Sequence, residues 1–464
     1  MILSQTQKGS LTILGGFLTH LVCGAIFNWG TLNIYMTSYF RTQGDQDLQI
    51  STGVAIYPIM MIFVATGMPL GIQGIRLFGS ARKYLYFASL LTMFFQFISS
   101  YTTHFWQYVL AYGVGFGVST GSIYFVPLYM GYLYFPKRKG MVAGIILCGY
   151  GLSALIFGFI FFQLVNPNNK DPEKDSIDGQ FYFQGKSVDV ALNVPSSIRY
   201  CCIIQVFLLL LGSSLVCYHP EQIGEQEKRV YIMPNSFIKT QKIKKNFQPA
   251  PNVKTALCSK HFFYLILIGV LGTGFGILVN SNYKTIGKKV IVDDKFMTMV
   301  GSFSSLANGL SRLFWSSLID KYSFKQLITS IFILQIFLAL TMQLSFYHKI
   351  YYLFQVYLIV SNMGGTLTLY PPFSAQIFGV QVGSKIFGLY WYGFGFANFV
   401  QFLIVREFEK KIGFINIFYI YAGITFLALV VLFIADFKPD WSKYYKENNQ
   451  NVKKQQQNMR IQKN

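Results

Sequence analysis

Twelve stretches dominated by apolar residues alternate with polar segments along this 464-residue chain. They fall at approximately 11–36, 51–75, 84–102, 105–132, 141–165, 199–218, 261–281, 296–318, 326–346, 351–376, 386–404 and 414–435. Each is close to the roughly 20 residues that a helix needs to cross a bilayer. The polar segments between them are short, except for 166–198 and 219–260. The pattern predicts an all-α polytopic membrane protein with twelve transmembrane helices. Composition agrees: 53% of residues are hydrophobic and 12% charged, against about 25% charged in soluble domains. The start, "MILSQTQKGS", runs into an apolar stretch longer than a signal-peptide core, so no cleavable leader is expected.

The charges set an orientation. One set of loops, together with the long linker and both chain ends, carries 25 of the 39 Lys and Arg residues, and the opposite set carries 13. Positive charge marks the inner side, so both termini and the linker are expected there. The remaining basic residue is Arg312, in "NGLSRLFWSSLIDKYSFK", and all 18 acidic residues fall between spans. Arg312 is therefore the one formal charge that this reading puts inside the membrane.

The rest of the candidate chemistry is sparse. The six cysteines lie in apolar runs or in one basic loop and imply no disulfide framework. The five histidines lack metal-ligand spacing, and no phosphate-binding loop is present, so neither a cofactor nor a metal is expected. Gly113, Gly115 and Gly117 fit close helix packing in lipid better than a phosphate cradle. The net charge of +21 reflects inner-side bias and a Lys/Gln/Asn-rich end rather than a nucleic-acid site. No nucleophile–base constellation points to an enzyme.

A fixed offset of 244 residues relates the two halves. Gly144, Gly149 and Gly151 match Gly388, Gly393 and Gly395; Pro127 matches Pro371; Arg76 stands where Asp320 stands. Six spans per copy gives two parallel repeats, the architecture of the major facilitator superfamily. The expected organisation is an N-terminal six-helix bundle at 1–218, a linker at 219–260, a C-terminal bundle at 261–437 and a disordered basic tail at 438–464.

Several motifs resemble the oxalate/formate antiporter and monocarboxylate porter branch of that superfamily. These are "CGAIFNWGTLNIY" in span one, "YGVGFGVSTGSIYFVPLYMGYLYFPKRKGMVAGIILCGYGLSALIF" across spans four and five, the Asn308-to-Trp315 stretch of span eight, and "LTLYPPFSAQIFGVQVGSKIFGLYWYGFG" across spans ten and eleven. The resemblance implies a transporter of small organic anions working by alternating access, with Arg312 as the anion-binding residue. The chain departs from the family's pattern at several points. The loop after span two reads "RLFG", with Arg76 in the usual Asp position, before Gly79 and Arg82. The second copy keeps Asp320 and Lys321. Span eleven has Asn398 near the place where oxalate exchangers carry a lysine, and span eight has Asn308 where animal lactate porters carry an acid. With no embedded carboxylate, exchange or facilitated flow is expected rather than tight proton symport.

Arg312 lies eight residues before Asp320, about 12 Å along a helix, and so near mid-depth of a hydrocarbon core about 30 Å thick. Asn308 and Trp315 share its helix face. Asn28, Tyr124, Tyr370 and Asn398 complete the expected cavity lining. Asn33, Asn282 and Tyr283 are weaker candidates, and His20 reads as a packed neutral histidine. The expected partners are a small organic anion and the lipid bilayer, with no nucleic acid. A monomer is expected, with a subunit role in a larger membrane complex as the alternative. The plasma membrane is the expected location, and the mitochondrial inner membrane or another organelle membrane the alternative.

Overall fold

The computed structural model describes residues 3–177, 179–223, 249–288, 291, 294–442 and 444. Its helices are α1 (Gln5–Cys23) and α2 (Trp29–Gln43), joined by a 3₁₀ turn at Gly24–Asn28, α3 (Ile56–Phe78), α4 (Ala81–Ser99), α5 (Gly117–Tyr134), α6 (Lys139–Val165), α7 (Val194–Leu215), α8 (Lys260–Lys288), α9 (Asp294–Leu318), α10 (Phe324–Thr341), α11 (Lys349–Ile377) and α12 (Val380–Ile434). Local chemistry sets their ends. Ser4 and Gln7 form a reciprocal capping box on α1, and Ser323 and Gln326 form one on α10. Gly79 takes the left-handed conformation (φ 64°) that closes α3, a position a side chain adopts only at a cost.

Among the described residues, nine helical segments are long and apolar enough to cross a membrane. Three more helices, α4, α9 and α11, have 19, 25 and 29 residues and lie where further spans are expected. Together they are consistent with the twelve expected spans. The boundary between the last two spans differs from expectation. The stretch read as a loop at 405–413 is helical, and α12 continues through Arg406 and Glu407 to a single break at Gly413 (φ 74°). Nothing before Gly413 forbids helix, and charged side chains at a membrane edge tolerate it. The 166–198 segment is also more ordered than a plain loop. It forms a two-stranded hairpin, β1 (Glu173–Lys174) with β2 (Phe181–Tyr182), and a short helix, Val188–Leu192. Arg41 clamps this hairpin to α2: its Nη2 donates to Asp175 Oδ2 at 2.7 Å, and its guanidinium lies 4.0 Å above the Tyr182 ring.

The repeated glycines show why the duplication survives in packing. A Cβ built on Gly149 would strike the main chain of α1 at Phe17, and one built on Gly393 would meet Ile266 of α8 at 2.9 Å. A Cβ on Gly144 would meet Leu313 Cα of α9 at 3.2 Å, and one on Gly388 would meet Met68 of α3 at 2.9 Å. Each glycine and its mate thus lets equivalent helices of the two halves approach closely. The crossings α6–α9 and α3–α12 are the two broad contacts between the bundles.

The linker is described at both ends only; residues 224–248 lie outside the described residues. Its far end docks through Ala250, whose N–H donates to Phe378 O at 3.1 Å, and through a short helix at Val253–Leu257. The segment read as a tail begins docked: Trp441 is buried and donates from Nε1 to Ile377 O at 3.0 Å. Residues beyond 444 lie outside the described residues.

Candidate anion site between the bundles

Arg312 sits in the middle of α9 and is the largest fully buried side chain among the described residues, with 1% exposure. One turn earlier, Asn308 accepts from its Nε at 2.9 Å. This bond uses one edge of the guanidinium and aims the rest across the bundle interface. The wall it faces is aromatic and belongs to the N-terminal half. The guanidinium carbon lies 5.7 Å from the Phe27 ring and 5.4 Å from the Tyr150 ring. The hydroxyls of Tyr57, Tyr124 and Tyr150 and the Cys148 thiol lie close enough to interact electrostatically with it. α12 adds Trp391, whose ring is 5.3 Å from Tyr124 and 6.3 Å from Tyr150.

The polar atoms here are left open. Arg312 Nη2, the Tyr150 hydroxyl and Trp391 Nε1 are all buried without a hydrogen-bond partner, and no ion pair to Arg312 occurs among the described residues. A buried unsatisfied donor costs about 1–3 kcal/mol, and a charged one more. An aromatic wall does not repay that for a guanidinium, since a cation–π contact is worth about 0.5–2 kcal/mol. The three donors belong to neighbouring side chains: the Tyr150 ring lies 5.4 Å from the guanidinium carbon and 6.3 Å from the Trp391 ring. Donors of this kind take an anionic acceptor such as a carboxylate, which accepts from several donors and carries the opposite charge.

The structure sorts the residues singled out from sequence. Asn308 and Tyr124 are at Arg312. Asn28, at the end of the 3₁₀ turn Gly24–Asn28, instead lines a small cavity of about 30 Å³ inside the N-terminal bundle with Gln96 and Gln205. Tyr370 is spent within the C-terminal bundle, its hydroxyl donating to Leu265 O at 3.2 Å. Asn398 donates to Phe394 O on its own helix at 2.9 Å. Trp315, half-buried and three residues past Arg312, packs on Phe314 and against Gly365. Asn33 and Asn282 likewise bond main-chain carbonyls, of Ile50 and Leu278. Sequence reasoning missed Phe27, Tyr57, Tyr150 and Trp391. A signal for Tyr150 existed: it lies between Gly149, which abuts α1, and Gly151, which abuts Gly309 of α9, so its ring has to occupy that three-helix junction.

On the face that carries both termini, the bundles are fastened. Asp320 accepts from the main-chain N–H groups of Gly140 and Met141 at 2.8 and 2.9 Å, capping the first turn of α6. Ser316 donates to Gly140 O at 2.8 Å. A carboxylate at a helix N-terminus satisfies orphan donors and the helix dipole together. The equivalent position in the first repeat, Arg76, cannot do this. It reaches the Gln381 side chain of α12 at 3.5 Å instead, so the two equivalent crossings are fastened by different chemistry. Gly79 closes α3, Arg82 Nε donates to Val216 O at 2.8 Å within the N-terminal half, and Lys321 is exposed.

No family model matches the chain. Individual relatives do. The apicoplast pyruvate carrier 1 of Toxoplasma gondii is 23% identical over 374 residues, covering 68% of each chain. An uncharacterised major facilitator-type transporter of Escherichia coli is 20% identical over 389 residues, covering 84% of this chain and 85% of its own. The oxalate:formate antiporter of Oxalobacter formigenes is 21% identical over 277 residues, covering 59% of this chain and 56% of its own. Among solved structures, a proton:xylose symporter aligns with TM-score 0.62 at 13% identity over 92% of this chain and 96% of its own. The transporter FucP in its outward conformation gives 0.60 at 13% identity over 90% and 98%. The chain has the fold of the major facilitator superfamily and is a homologue of its membrane transporters, an oxalate:formate antiporter among them.

Proposed function

We propose that this multi-pass membrane protein moves small organic anions by alternating access, the carboxylate docking on Arg312. The observation that carries this reading is the unpaired Nη2 of a guanidinium that is fully buried where two bundles meet. A charge at such depth costs roughly 3 kcal/mol or more on insertion scales, and a bound anion offsets it. The pyruvate and oxalate/formate handled by two homologues are both small carboxylates, which supports the same class. The arrangement supports alternating access: the site lies between halves that Asp320 clasps on one face. The clasped face is the inner one by its basic loops. The protein works as a monomer, and the apicoplast relative makes an organellar membrane as reasonable a home as the plasma membrane.

Uptake into reconstituted vesicles tests the reading. A panel of formate, lactate, pyruvate and oxalate, with neutral sugars as controls, should give saturable uptake of at least one carboxylate and none of the sugars. Sugar uptake without carboxylate uptake would assign another solute class. Uptake of nothing would favour a structural subunit.

A further inference from the structure

The outer wall of the N-terminal bundle carries a groove that transport at Arg312 does not use. It runs between α4 and α7 and encloses about 380 Å³. Met93, Phe94 and Phe97 line it from α4, and Cys202, Ile203 and Val206 from α7, with Arg199 at the end where α7 begins. Phe94, Phe97 and Ile203 are exposed, so in a bilayer this groove faces hydrocarbon. The Ser89 and Ser213 hydroxyls, 3.2 Å apart, tie the two helices together nearer the opposite face. Arg199 opens the sixth apolar stretch, which puts it at the membrane edge. Its guanidinium carbon lies 5.1 Å from the Tyr101 ring, an aromatic placed where interfacial aromatics gather. Among the described residues Arg199 makes no ion pair, and no Asp or Glu lines the groove. Seven residues separate Arg199 from Val206, or about 10 Å of helix. That is most of the roughly 15 Å depth of one leaflet's hydrocarbon. A free cation at the interface thus heads an apolar trough that descends into the leaflet.

We propose that this groove holds one anionic phospholipid, its phosphate on Arg199 and an acyl chain lying between α4 and α7. A guanidinium fork matches phosphate geometry and makes charge-assisted hydrogen bonds to it. A headgroup with net negative charge is favoured over choline or ethanolamine, because the groove offers no carboxylate to pair with their cationic nitrogen. The bound chain covers the exposed rings of Phe94 and Phe97 and bridges the third and sixth spans near the face that carries the 173–182 hairpin.

Titration of the purified, delipidated full chain in non-ionic detergent tests this, with phosphatidylglycerol, phosphatidylcholine and diacylglycerol of identical acyl chains as probes. Thermal midpoint and native mass spectrometry are the readouts. Phosphatidylglycerol should raise the midpoint saturably and leave one retained lipid per chain. Phosphatidylcholine should bind roughly tenfold more weakly, and diacylglycerol, which has no phosphate, should do neither. Arg199→Gln should weaken phosphatidylglycerol roughly tenfold and bring it level with phosphatidylcholine. Arg199 bonds to nothing in the chain, so that variant should fold. Ile203→Trp keeps the cation and fills the trough from an exposed position, and it should reduce binding of both phospholipids. Equal effects of all three lipids on the wild type would mean ordinary solvation by lipid and overturn the proposal. Phosphatidylglycerol binding unchanged in Arg199→Gln would overturn it by placing the headgroup elsewhere. A lipid-free dimer that Ile203→Trp dissociates would assign the groove to a second copy of the chain and overturn it too.

Discussion

At the scale of the residue, the account rests on how Asn308 holds Arg312. The 2.9 Å bond to Nε fixes the guanidinium plane and leaves Nη2 for a ligand. Two substitutions separate these roles. Asn308→Leu strands Nε and should cost about 1–3 kcal/mol of stability, with anion affinity weakened about tenfold as the guanidinium loses its aim. Asn308→Asp should do the reverse to stability. It supplies an internal carboxylate, so the thermal midpoint should rise while anion binding is lost to competition. Paired melting curves with and without carboxylate check both; a stabilised Asn308→Asp that still binds anion would show the site to lie elsewhere. Arg312 and Asn308 were legible in the sequence because a lone charge in an apolar run needs a reason and a spacing of four puts its partner on the same face. The aromatic wall was not. Phe27, Tyr57, Tyr150 and Trp391 look like ordinary lipid-phase residues in a chain with 18% aromatics, and only the crossing of four helices brings them to one point. Asn28, Tyr370 and Asn398 were legible as polar residues in spans, but helical phase and local carbonyls decide where such groups point.

At the scale of the element, the repeat glycines were readable as a spacing, and the close crossings α6–α9 and α3–α12 are its consequence. The clasp of Asp320 on α6 had a sequence signal too. Arg76 at the equivalent position cannot cap α12 in this way, since a cation at a helix N-terminus is repelled where an anion is held. Losing a cap costs about 0.5–2 kcal/mol, enough to shift a two-state equilibrium by roughly two- to thirtyfold. Asp320→Ala should therefore populate the state open on the terminal face. A cysteine placed on the interface near Gly140 should then react faster with thiol reagents, and an unchanged rate would show that the clasp does not hold that face shut. The hairpin loop escaped the hydrophobic pattern because its order comes from polar pairs. Lys170 donates to Asp189 at 2.8 Å, and this bond holds the Asp189 carboxyl below the usual carboxylate range. A depressed carboxyl contributes order above its ordinary value near pH 4 and loses it as the pH falls. Limited proteolysis at 166–193 should accordingly be slow at pH 7 and faster below about pH 4, and Asp189→Asn should remove the difference.

At the scale of the whole molecule, two parallel six-helix halves were readable from offset and charge. The break at Gly413 and the docking of Trp441 were not, because each depends on a single residue in a stretch without periodicity. Topology can be tested with a native probe. Cys258, at the end of the linker, is exposed, and the other five cysteines are buried. A membrane-impermeant maleimide should label Cys258 only after permeabilisation of intact cells or organelles; labelling without it would invert the orientation. The central claim, that a carboxylate binds Arg312 between the halves, is tested most directly by ligand-dependent thermal stabilisation of purified wild type, Arg312→Lys and Arg312→Gln against carboxylates of graded size. Lys keeps the charge and loses the planar fork, so Arg312→Lys should bind more weakly by about 1.5–3 kcal/mol, roughly ten- to a hundredfold. Arg312→Gln should fold and show no stabilisation. Equal stabilisation of all three proteins by the best carboxylate would contradict the claim.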